Sequence, residues 1–140
     1  MGVYPVYNID FKINTGGRTG DTLAIIKDME TFSVAIDGNI VEWTPMDQEG
    51  WTRRLMTGKS LTIGLSGKRQ EGDPGNDYVA SMVNKNGEDC NSQVEITLPS
   101  GAKIDMDCVV NLTSPFGGEA VDVSALEFEL FSDGKPTFTP

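Results

Sequence analysis

Three carboxylates, Glu95, Asp105 and Asp107, have the clearest capacity for chemistry in this 140-residue chain. Paired carboxylates with separated pKa values hydrolyse glycosides, and Asp105-Met106-Asp107 has the oxygen donors that calcium prefers. All three fall on the polar phase of alternating strands with no pocket signal around them, and the plain reading is a solvated face. Thr15-Gly16-Gly17-Arg18-Thr19-Gly20 superficially resembles a phosphate loop, but the lysine-plus-hydroxyl ending and a strong following helix are missing. The chain has no histidine, which excludes His-based triads, His metal sites and His general bases. Cys90 and Cys108 are too few for a disulfide framework, and spacing does not say whether they are bridged. Cys108 lies in an apolar strand phase, where a reduced cysteine packs as a small hydrophobe. Asn111-Leu112-Thr113 matches a glycosylation acceptor, a motif frequent by chance. Trp43 and Trp51 could stack on sugars, but tryptophan also anchors protein interfaces. We expect no catalytic residue, no metal and no cofactor.

Composition narrows the partners. The net charge is -10, from 21 acidic and 11 basic residues. Such a chain repels free nucleic acid and anionic membranes, and it lacks the basic face of a DNA-binding protein. A hydrophobic fraction of 38% can fill one core, so residues 1–140 are expected to form a single domain. No run of 18 apolar residues occurs, and no secretory signal is visible at the N-terminus. Synthesis and assembly in a cytoplasm are the default expectation.

The elements that must position these residues are short strands between Gly, Asp, Asn and Pro turns. Ile9, Phe11 and Ile13 alternate with Asp10 and Lys12 as a first strand. Asn14 to Asp21 is Gly- and Thr-rich and reads as a flexible arm or loop, while Leu23 to Ile26 is ambiguous between strand and helix. Asp37-Gly38 favours positive φ, so Thr31–Ile36 and Asn39–Thr44 are expected to form a hairpin, ended by Pro45. Met46 to Gly58 is then a long connection, and Leu61, Ile63 and Leu65 resume a strand. Asp73-Pro74 predicts a helix start, with Tyr78, Val79, Met82 and Val83 forming one apolar stripe. Ser92–Leu98 and Ala102–Leu112, joined by Pro99-Ser100-Gly101, predict a hairpin that sets Ile96 against Ile104 and Val94 against Met106. The same register puts Glu95 opposite Asp105 and Gln93 opposite Asp107. Val121 to Phe131 reads as the last strand. Leu126, Phe128 and Leu130 fall in one phase and Val121 and Val123 in the other, so a bulge or twist is expected near Ser124-Ala125.

Gly50-Trp51-Thr52-Arg53-Arg54-Leu55-Met56-Thr57-Gly58-Lys59, the strand-like Ser60 to Lys68, Gly72-Asp73-Pro74-Gly75-Asn76-Asp77-Tyr78 and the closing Phe131-Ser132-Asp133-Gly134-Lys135-Pro136 share a second property. Together they resemble the major tail protein, or tail tube protein, of long-tailed non-contractile bacteriophages. The resemblance implies a mainly β chain, a β-sandwich or rolled barrel with one short flanking α-helix, assembled as hexameric rings. It implies a structural virion protein, not an enzyme, made in the bacterial host cytoplasm. Its rings would stack into the tail tube that conducts DNA at infection. The implied partners are further copies of the chain, a tail tip or initiator, a tape measure protein and a tail terminator. DNA would pass without specific binding, and the subunit would not insert in a membrane.

Carried over residue by residue, the resemblance makes 46–59 a long loop reaching the neighbouring ring and 14–28 an arm on adjacent subunits. Trp51, Arg53, Arg54, Leu55 and Met56, with Arg18 and Lys27, become expected interface residues. Glu95, Asp105, Asp107, Glu127 and Glu129 become an expected acidic lumen. A basic lining would hold phosphates by counterion release, whereas an acidic lining lets duplex slide. The helix would pack on the outer side of the sheet. Two other readings remain open at this point: an acidic β-sandwich binding module for carbohydrate, with Trp51 lining a concave site, and a tube protein of the type VI secretion kind.

Overall fold

The computed structural model describes residues 2–140. Its strands are β1 (Asp10–Asn14), β2 (Leu23–Ile25), β3 (Met29–Trp43), β4 (Arg53–Lys68), β5 (Asn91–Thr97), β6 (Lys103–Ser114), β7 (Ala125–Ser132) and β8 (Thr137–Thr139). They form one antiparallel sheet in the order β2-β1-β5-β6-β7-β4-β3, with β8 beside β6. Apolar alternation decides which face turns inward. Phe11 and Ile13 of β1, Leu61, Ile63 and Leu65 of β4, Val94 and Ile96 of β5 are all buried. So are Met106, Cys108 and Val110 of β6 and Leu126, Phe128 and Leu130 of β7. The sheet rolls so that these residues share one core, and the Phe11 and Phe32 rings meet edge-on at 4.7 Å between β1 and β3. The result is the mainly β, rolled architecture expected, with one short helix.

That helix, α1, spans Pro74–Ala80 and continues as a 3-10 turn over Ser81–Asn84. Asp73 caps it by accepting from the Asn76 amide, and Pro74 occupies the first helical position. Gly75 weakens helix propensity but allows a close approach. A Cβ there would sit 2.5 Å from the Ile25 carbonyl oxygen. Val79 and Met82 bury against the core, whereas Val83 of the expected stripe is 63% exposed.

The β5–β6 hairpin has the predicted register, including Glu95 opposite Asp105 and Gln93 opposite Asp107. The Leu98 amide bonds to the Ala102 carbonyl at 2.9 Å across the turn.

Four expectations are corrected. Asp37-Gly38 is not a turn: β3 runs straight through it, with Asp37 paired to Ser60 and Gly38 to Lys59. Gly38 is extended and lies beneath the Met56 thioether, where a Cβ would approach within 2.8 Å. Continuous pairing of β3 with β4 satisfies backbone groups that a turn at Asp37 would leave over. The turn lies instead beyond Pro45, where Glu49 and Gly50 both take positive φ. Second, the long connection is therefore short, because Arg53 to Lys59 belong to β4.

Third, Asn14 to Asp28 folds back on the body. Asn14 donates to the Gly20 carbonyl at 2.6 Å and accepts from the Gly16 amide at 3.0 Å, and β2 then pairs with β1. Fourth, Val121 and Val123 lie outside any strand, at 93% and 63% exposure, so β7 needs no bulge to reconcile them. The irregularity sits in its partner β6, between Leu112 and Ser114. β8 was not anticipated: after Ser132 the chain detours through Gly134 and Pro136 and then resumes pairing with β6.

Candidate functional site

The outer half of the β3–β4 hairpin projects beyond the core. From Ser33 to Ser60 almost every residue is exposed, yet both faces carry apolar side chains. Val34, Ile36, Ile40 and Met56 continue the core-facing stripe outward, at 46–63% exposure. The other face carries Val41, Leu55 and Trp43. A bulge between Asn39 and Ile40 keeps the phases aligned, pairing Ile40 with Met56 and Val41 with Leu55. Such a two-sided apolar ribbon is only marginally stable as an isolated hairpin in water.

The expected interface residues sit on this ribbon or at its tip. Trp51 is 77% exposed at the turn and lines none of the five main clefts among the described residues. Arg53 lies over the Trp43 ring at 5.7 Å. Arg54 pairs with Glu42 at 3.0 Å. The two arginines are thus partly engaged within the hairpin and do not form a free basic cluster. Arg18 lies elsewhere: its guanidinium donates to the Cys108 carbonyl at 3.1 Å and pairs with Asp133 at 2.7 Å. It fastens the 15–22 turn to the body, an intramolecular role that the sequence did not signal. Lys27 is exposed, and its backbone amide bonds to the Asp73 carboxylate at 3.1 Å.

All five acidic residues lie on the outward face of the sheet. Glu95 and Asp105 face each other, but Lys12 lies opposite Glu95 on β1 and the Lys103 Nζ stands 3.7 Å from its carboxylate. That corner is nearly charge-balanced, which relieves the like-charge pair. Glu127 and Glu129 have only neutral neighbours across the strands: Ser66 and Ser114 for Glu127, Gly64 and Asn111 for Glu129. The apolar pair Val109–Phe131 separates them from Asp107 and Glu95. The face is therefore a mixed-charge corner around Glu95 and an uncompensated acidic pair, Glu127 and Glu129, divided by an apolar row.

No described residues form a group of three or more His, Cys, Asp or Glu side chains able to hold a metal, and no helix is long and apolar enough to cross a membrane. Cys90 and Cys108 are both free thiols. Burial pushes the Cys108 thiol up to about 12, against a smaller lowering by Arg18, and the Asp107 charge adds a small further raising.

A rolled β subunit whose protruding hairpin exposes apolar side chains on both faces has the surface of a self-associating structural protein. The chain belongs to the phage tail tube protein family, which it matches over residues 9–138. Its fold is similar to a chain in the tail of an empty gene transfer agent particle, determined by helical refinement with C6 symmetry. That likeness has a TM-score of 0.80 at 14% identity and covers 99% of this chain and 100% of that one. It is also similar to a chain in the native gene transfer agent virion, with a TM-score of 0.77, 17% identity and coverage of 99% and 100%. The tube-terminating cap of an anti-feeding prophage gives a TM-score of 0.65 at 16% identity, covering 100% of this chain and 93% of that one. No curated protein sequence matches significantly. The protein is thus a structural component of a phage-type tail tube.

Proposed function

We propose that six subunits close into a ring, that rings stack head to tail, and that the resulting hollow tube conducts DNA during infection. One observation carries this: the β3–β4 hairpin exposes apolar side chains on both faces, in a chain whose family builds tail tubes. The sixfold symmetry in the tail of the similar gene transfer agent particle supports the ring size. Docking on a neighbouring ring buries the ribbon and gives Trp51, Leu55 and Met56 their partners, with Arg53 and Arg54 at the rim. Residues 14–28, with Arg18 and Lys27, contact an adjacent subunit as a folded turn rather than a loose arm.

The outward sheet face bearing Glu95, Asp105, Asp107, Glu127 and Glu129 lines the lumen. Screening confines its repulsion to about 8 Å at physiological salt, so it acts as a non-stick wall. No bond is made or broken. The further partners are a tail tip that initiates, a tape measure protein inside and a terminator at the end. Assembly takes place in the host cytoplasm, and the finished tube belongs to a long non-contractile tail. The test is electron microscopy of the concentrated protein with and without tail tip. Hollow tubes support the proposal, and a persistent monomer in both samples overturns it.

A further inference from the structure

The geometry points to a specific head-to-tail contact between copies of this chain: the 115–124 loop of one subunit seats in a cleft at the opposite end of the next. The inference rests on the stacked-tube reading and names the surfaces that would meet. The cleft opens where β7 leaves β4. At Ser132 the pairing of the two strands ends, and the Ser132 hydroxyl, not a backbone carbonyl, accepts from the Leu61 amide at 2.9 Å. The chain then detours to β8, so β8 and the outer half of β4 separate. The gap between them is about 590 Å³. Ile36, Leu61, Pro136 and Phe138 make it apolar, and Lys59 and Lys135 stand beside them. Neither lysine has an acidic partner among the described residues.

The complementary surface lies where β6 ends and β7 begins, roughly 23 Å away along the eight residues of β7. There Phe116, Val121 and Val123 are 73%, 93% and 63% exposed, with Glu119 and Asp122 among them. The loop is held in shape by its own bonds. The Gly117 amide donates to the Ser124 hydroxyl at 3.3 Å, the Ala125 amide to the Gly117 carbonyl at 3.0 Å, and the Glu119 amide to the Asp122 carboxylate at 2.8 Å. Little ordering cost remains when it docks. One end of the subunit thus offers three apolar side chains with two carboxylates, and the other an apolar gap with two unpaired lysines. The two surfaces differ, so the contact is heterologous, and their places at opposite ends of β7 make repetition run along the tube in the stacked reading. Within one subunit the loop and the cleft cannot meet.

Carbodiimide, which joins a carboxylate to an amine only in direct contact, tests this on the wild-type protein assembled at high concentration, with tail tip added if needed. Mass spectrometry of the digest should find Glu119 or Asp122 joined to Lys59 or Lys135, and Glu119→Lys should remove most of those links and reduce stacking. Tubes that cross-link only through other pairs would overturn this contact and leave the tube reading standing. A chain that stays monomeric under all of these conditions would overturn both.

Discussion

Asn76 is fully buried and uses its whole side chain. Its amide donates to the carbonyls of Lys27 and Lys68, at 3.1 and 3.0 Å, and its oxygen accepts from the Gln70 amide at 3.1 Å and from the Arg69 guanidinium at 2.9 Å. One residue thus clips α1 to the β2–β3 connection and to the end of β4. Asn76→Ala strands several buried backbone groups. It should cost about 3 kcal/mol, read as a Tm lower by roughly 10 °C in thermal unfolding. Cys108 makes a second residue-scale prediction. With its thiol pushed up to about 12 by burial, a thiol reagent at neutral pH should label Cys90 and spare Cys108 in the folded protein. The sign of the linkage follows from the raised value. Stability is fully present below the unfolded value of 9.0 and falls as pH rises through about 12. The slope contributed by this group is about 1.4 kcal/mol per pH unit, measurable by denaturant titration at stepped alkaline pH.

The β3–β4 hairpin is the element on which assembly should turn. Arg53→Glu with Arg54→Glu removes the stacking on Trp43 and the pair with Glu42, and it sets like charges opposite each other. Exposed pairs contribute about 0–1 kcal/mol, so the variant should remain folded by circular dichroism yet form no tubes. Long tubes from it would contradict the interface assigned to the hairpin. This element also shows where sequence reading stopped. The β5–β6 register was legible because Val94 and Ile96 pair with Met106 and Ile104 on the core side, and a one-residue slip turns one strand's pair to the other face. In the hairpin neither face is buried within the subunit, so Asp37-Gly38 carried the local signal and misplaced the turn. In the proposed tube, a strand that keeps apolar residues on both faces past an Asp-Gly pair would be buried by other chains, which one chain's alternation cannot display. β8 and the intramolecular role of Arg18 depend on long-range pairing, and no local pattern announces either.

At the scale of the whole molecule, the uneven charge of the outward face makes its own prediction. Glu95 is offset by Lys12 and Lys103, whereas Glu127 and Glu129 are not. If this face lines the lumen, Glu127→Lys with Glu129→Lys should leave tubes intact and make them retain duplex DNA in a salt-dependent way. Retention unchanged from wild type in a pull-down at stepped salt would place these residues away from the DNA path. The most direct test of the account is cryo-electron microscopy of the concentrated protein, alone and with tail tip. The account predicts hollow tubes of sixfold rings, with the β3–β4 hairpin bridging successive rings. Monodisperse monomers in both samples, or tubes in which that hairpin stays solvent-exposed, would contradict it.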